Sequence, residues 1–221
     1  MNCIFLITDS DIFKIAKIYQ IGDFMKHLKK KKMKYSFILG QLNQETQEHC
    51  KRVSHMCEKI APYVGLDSCI AYKIGLLHDA GKIFIPSRIL KKNHGLTHLE
   101  RDIIDMHSYY GYRMLKELGE GPLVYMPVLF HHGFWKFKLH IGEEPFTEEM
   151  MYYTCLVHTL DIYDAMASRR VYHAPATKDE IMEVLSTDDM CPNILYETLK
   201  SFDFPSVNLY AKLPEKSCTE N

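Results

Sequence analysis

A chain of 221 residues that is 47% hydrophobic and 25% charged has the composition of an ordinary soluble globular protein with one substantial domain. Its formal net charge of −1 gives no global attraction to nucleic acid or to an anionic membrane, so a phosphate-bearing ligand must be held by local groups. Seven cysteines without a CxxC pair argue against a thiolate zinc site and for free thiols in a reducing cytoplasm.

The opening "MNCIFLITDSDIF" lacks a basic lead and is soon interrupted by Asp9 and Asp11. It reads as neither a signal peptide nor a membrane span, and a cytoplasmic protein is expected. Residues 1–35 form a lead-in of unassigned role. Ile12, Ile15, Ile18 and Tyr19 recur at helical spacing, and the run Lys29 to Lys32 reads as a solvated helix end. Residues 36–221 form the main domain.

From about Asn43 the pattern is helical. "QETQEHCKRVSHMCEKIAPYVG" carries His49, Val53, Met56 and Ile60 on one stripe and closes at Gly65. "DSCIAYKIGLLHD" follows, with Asp67 or Ser68 as its N-cap. "THLERDIIDMHSYYGYRMLKEL" opens with Thr97 three residues before Glu100, the spacing of a capping box, and reads as one helix containing His107. "GPLVYMPVLFHHG" and "FTEEMMYYTCLVHTLDIYDAMAS" are two more helices, and "TKDEIMEVLS" and "PNILYETLKSF" two short ones. Alternating strand patterns are scarce, so the expected fold is an all-α bundle.

Hard divalent metals take carboxylate oxygens and neutral imidazole nitrogens, which a bundle can deliver from several helices into one core. Glu45 and His49 are four residues apart on one helix, and His78 and Asp79 are adjacent at a helix end. His107, the pair His131 and His132, and Asp161 in an apolar run complete eight candidate ligands. A carboxylate amid apolar neighbours is costly unless paired or metal-bound, which singles out Asp161.

The order Glu-x3-His, His-Asp-x2-Lys, His, His-His, Asp resembles the HD-domain phosphohydrolases, and within them the HD-GYP branch. "LLHDAGKIFIPSRILKKNHGLTHLE" and "LDIYDAMASRRVYHAPAT" are similar to two segments of that branch nearly position for position. The resemblance implies an HD-domain helical bundle with two or three ions of iron or manganese in its core. By it, His49, His78, Asp79, His107, His131, His132 and Asp161 are metal ligands, and Glu45 is an additional acidic ligand. Asp79 is the bridging carboxylate, and Lys82 stands near the scissile phosphate. Arg170, with its neighbour Arg169, would contact substrate phosphate, and Trp135 would stack on a base.

The implied activity is metal-dependent hydrolysis of a cyclic dinucleotide, cyclic di-GMP first, to pGpG or GMP. The implied partners are that nucleotide and a signalling protein, with no nucleic acid polymer. Where the branch carries its Gly-Tyr-Pro triplet, this chain reads "GFWKFKLHIGEEP", and His173 replaces a residue that is commonly basic. The rewritten loop leaves two alternatives: another nucleotide phosphate ester, or a cyclic-dinucleotide-binding signalling protein without turnover. A mixed-valent di-iron oxygenase is disfavoured by Lys82 and the "GKIFIPSRIL" segment.

Overall fold

The computed structural model describes residues 35–92, 95–134, 144–168 and 174–204. The expected lead-in before residue 35, Trp135, Arg169, Arg170 and His173 lie outside the described residues. Among those described, the structure is all-α, with ten α-helices, two 3-10 turns and no strand. The helices are α1 (Tyr35–Leu39), α2 (Gln44–Ile60), α3 (Ser68–Leu77), α4 (Ser87–Leu90) and α5 (His98–Asp105). They continue as α6 (His107–Leu118), α7 (Pro122–Phe130), α8 (Glu148–Ala167), α9 (Lys178–Leu185) and α10 (Asn193–Ser201). None of the described helices is long and apolar enough to cross a membrane.

The helix starts follow from side chains that accept the otherwise unpaired N–H groups of the first turn. Asn43 caps α2, and Asp67 rather than Ser68 caps α3. Thr97 and Thr177 cap α5 and α9, each in a reciprocal capping box with the glutamate three residues on. Gly65 and Gly119 take the left-handed conformation that ends a helix without a Cβ penalty, at φ of 74° and 89°.

One expected element is divided. The segment from Thr97 to Leu118 forms two helices, broken at Met106, so His107 opens α6 instead of lying inside a longer helix. The break leaves the carbonyl of Ile104 within reach of the His107 ring, whose Nδ1 lies 2.6 Å from it.

The core is built where α2 packs along α3, α8 lies across α2, α3 and α7, and α6 packs on α7. The second 3-10 turn, Ala80–Phe84, is pressed against α6. Two glycines permit these approaches. A Cβ on Gly75 would lie 2.7 Å from the Ser54 Cα, and one on Gly81 would lie 1.9 Å from the His107 carbonyl oxygen. Gly81 therefore sets how closely the turn after Asp79 can approach the helix that begins with His107.

Gly81→Ala should force these two backbones apart. The expected cost is about 1–3 kcal/mol in denaturant unfolding, the usual range for overpacking. Gly95→Ala, where an added Cβ meets nothing within 4 Å, is the control. It should stay within about 0.5 kcal/mol of the parent.

Candidate metal centre

Three histidines sit where a helix ends or breaks, and there the last carbonyls lack helical partners. His78 caps α3, His107 follows the break after α5, and His131 caps α7. Each turns its Nδ1 to the carbonyl three residues back: His78 to Gly75 at 2.8 Å, His107 to Ile104 at 2.6 Å, His131 to Val128 at 2.7 Å. A carbonyl only accepts, so each Nδ1 carries the proton and each neutral ring presents a bare Nε2 lone pair to the interior.

Those lone pairs converge with two carboxylates. His49, from the body of α2, places its Nε2 3.2 Å from the His78 Nε2 and 3.0 Å from Asp161 Oδ1. The Nε2 atoms of His107 and His131 are 3.3 Å apart, and His107 Nε2 lies 3.2 Å from Asp79 Oδ1. The His132 ring is exposed and stacks near those of His107 and His131, with centroids 5.1 and 4.0 Å away. Three overlapping groups have ligand atoms within 4.8 Å of one another: His107, His131 and His132; His49, His78 and Asp79; His78, His131 and Asp161.

The donor set fits divalent cations. Facing imidazole lone pairs repel unless a positive charge lies between them, and Asp79 Oδ1 is buried without a hydrogen-bond partner. Neutral nitrogens with carboxylate oxygens suit divalent metal ions in general and do not call for a thiolate metal. The Lys82 ammonium, 2.5 Å from Asp79 Oδ2, supplies positive charge at this point of the chain.

The titration behaviour follows from the same contacts. Burial pushes both carboxyls up, yet Asp79, beside Lys82, His78 and His107, and Asp161, bonded to His49, are held well below the usual carboxylate range. Burial pulls His49 down, but its bonds to Asp161 and Asp164 prevail and raise it to about 9. His78 is lowered by burial, and His131 falls well below its ordinary value through burial and the neighbouring rings. His132, exposed at one side but desolvated by the residues packed around its ring, His107 among them, drops to about 4.

Of the ligands expected from sequence, His49, His78, Asp79, His107, His131, His132 and Asp161 meet in one cluster. Glu45, one turn nearer the start of α2, is exposed and stands outside the three groups. The sequence gives Arg52 no role; Asp164, in the segment similar to the HD-GYP branch, is expected to serve its own helix in preference to orienting a neighbouring group. Asp164 meets the His49 Nδ1 and Arg52 holds Asp164, and each lies three residues after an expected ligand, at the spacing of a shared helix face. His158, three residues before Asp161 on the same helical face, is expected as a core or surface histidine in preference to a support of the cluster. It bridges the His131 carbonyl, 2.6 Å from its Nδ1, and Asp188, 3.0 Å from its Nε2.

The family model for the HD domain matches residues 46–167. A cyclic di-GMP phosphodiesterase of Thermotoga maritima is 31% identical over 74% of this chain and 47% of its own length. A 3'3'-cGAMP-specific phosphodiesterase of Vibrio cholerae is 29% identical over 65% of this chain and 28% of its own length. The chain thus spans about half or less of the curated relatives it matches. Among solved structures, the HD domain of the L. monocytogenes phosphodiesterase PgpH in complex with cyclic-di-AMP shares the fold. Its TM-score is 0.52 at 19% identity, covering 73% of this chain and 94% of that one.

The metal-free protein should be most stable near neutrality. His78 and His131 stay neutral in the folded chain below about pH 6.5, where unfolded histidines protonate. Unfolding there takes up protons, so stability falls as pH falls, by about 1.4 kcal/mol per pH unit for each proton taken up. His49 has the opposite sign. With its folded value raised to about 9, its contribution is complete below the unfolded value and is lost as pH rises toward that number. Thermal unfolding of chelator-treated protein should therefore show Tm falling on both sides of neutrality; a flat profile on the acid side would contradict neutral, buried His78 and His131.

Proposed function

The chain belongs to the HD-domain family, and from that premise we propose that it is a metal-dependent phosphodiesterase that opens a cyclic dinucleotide, cyclic di-GMP first, to pGpG or GMP. The observation that carries this reading is the convergence of imidazole Nε2 atoms on two carboxylates, with a lysine at the same point. His49, His78, Asp79, His107, His131, His132 and Asp161 would hold two or three ions of iron or manganese. Bound ions of this kind acidify a water and neutralise charge on a phosphoryl group.

The chain's own residues have defined tasks in that reaction. The histidines bind as neutral bases, which limits the negative charge gathered around a phosphate that is itself anionic. Asp79 and Asp161 supply the negative charge that cations require in a buried site. Lys82 is partly exposed, and burial lowers its pKa less than Asp79 raises it, so it remains an ammonium. That ammonium, beside Asp79, would hold a non-bridging phosphate oxygen as charge develops on it. Arg169, Arg170 and Trp135 are proposed as contacts to the remaining phosphate and base. The relatives named above bear names of different cyclic dinucleotides, which supports the ligand class. Cyclic di-GMP leads because the T. maritima relative aligns over the larger share of the chain.

Anaerobically prepared protein loaded with iron or manganese should convert cyclic di-GMP to pGpG or GMP, followed by chromatography. Asp79→Ala should give no product. Lys82→Ala should keep its metal while losing about 100-fold or more in kcat, as expected for removing a group that stabilises transition-state charge. Loaded protein that leaves cyclic di-GMP, 3'3'-cGAMP and cyclic di-AMP all intact would overturn the reading.

A further inference from the structure

His49 differs from the other three buried histidines of the cluster. His78, His107 and His131 each fix their rings with a backbone carbonyl made available by a helix end or break. His49 lies in the body of α2, where carbonyls are consumed by the helix itself, so its Nδ1 needs a side-chain acceptor. It finds Asp164 Oδ2 at 2.7 Å, across from α8.

We propose that Asp164 is the positioning residue of this centre: locked by Arg52 and Ser168, it keeps the His49 Nδ1 protonated and aims Nε2 at Asp161, His78 and Asp79. The inference rests on the metal-centre reading above. Asp164 is 0% exposed, and a carboxylate so buried must have its oxygens filled. Arg52 Nε donates to Oδ1 at 2.7 Å and Nη2 to Oδ2 at 2.9 Å, a planar fork that fixes the carboxylate plane. Ser168 Oγ donates to Oδ1 at 3.2 Å from the end of α8.

The network also fixes the register of two helices. His49 and Arg52 are both on α2, and Asp161 and Asp164 are three residues apart on α8. One carboxylate therefore sets both the orientation of the His49 ring and its 3.0 Å approach to Asp161. An asparagine at this position cannot replace it. An amide oxygen could accept from His49, but the amide N–H groups would then face the donors of Arg52.

The test is Asp164→Asn, read by Mn2+ affinity in chelator competition and by the visible absorption of the Co2+-loaded protein, which reports ligand geometry. Affinity should fall about 10- to 100-fold, the usual result of losing the partner of a ligating histidine, and the Co2+ bands should shift. Arg52→Lys, which keeps the charge but loses the fork, should give a smaller fall of the same kind and decides the matter if the asparagine variant fails to fold. A residue that merely bolts α2 to α8 would lower Tm and leave both readouts of the folded protein unchanged. Parental Mn2+ affinity and Co2+ spectrum in the variants would overturn the proposal. Neither readout uses a nucleotide, so failure of the cyclic-dinucleotide reading would not alter either result.

Discussion

Everything in this molecule has to accommodate the Asp79 carboxylate, which is 1% exposed in the middle of a helical bundle. A lone charge at such depth would cost several kcal/mol after relaxation. The chain answers with Lys82, one turn away. Even so, Oδ1 keeps no hydrogen-bond partner. The glycine two residues later lets the turn press against α6, which brings His107 to the same carboxylate. Packing and charge balance are thus one problem here, and the close contact at Gly81 is part of its solution.

The helix ends carry the rest of the electrostatics. The C-terminal ends of α3, α5 and α7 lie at His78, His107 and His131, whose rings meet at the cluster. A helix C-terminus bears partial negative charge and favours cations, typically by about 0.3–1 kcal/mol. The same ends leave carbonyls unpaired, and the imidazole Nδ1 groups take them up. One device satisfies the backbone, chooses the tautomer and aims the lone pair. It requires a histidine close after the last helical turn, which is why these ligands stand at boundaries and beside one another in sequence.

That is also why so much of the site was legible before any coordinates. The His78-Asp79 and His131-His132 pairs fall at ends that apolar runs and turn residues mark, and the helices themselves are announced by caps such as Asp67, Thr97 and Thr177. What escaped was long-range. Asp164 meets His49 across 115 residues and Arg52 across 112, and His158 meets Asp188 across 30. No local spacing states which arginine will lock which aspartate. The break at Met106 was missed because its neighbours continue a helical pattern; it became visible only through the bond from His107 to Ile104. Glu45 shows the converse. Its spacing from His49 is that of a shared face, but one helical turn carries it from the buried cluster to the exposed start of α2.

The contacts that orient the cluster and the departure from the HD-GYP pattern fall on different stretches of the sequence. Every contact described above that orients a ligand comes from α2, α3, α5 to α8 or the turns between them. The segment that departs from the HD-GYP pattern lies between Phe134 and Glu144 in sequence. At its far end Glu144 is held by Tyr112 at 3.2 Å, Tyr125 at 2.5 Å and Lys116 at 2.8 Å, on α6 and α7. The helices α6 and α7, which begin and end at His107 and His131, thus also carry the contacts to Glu144.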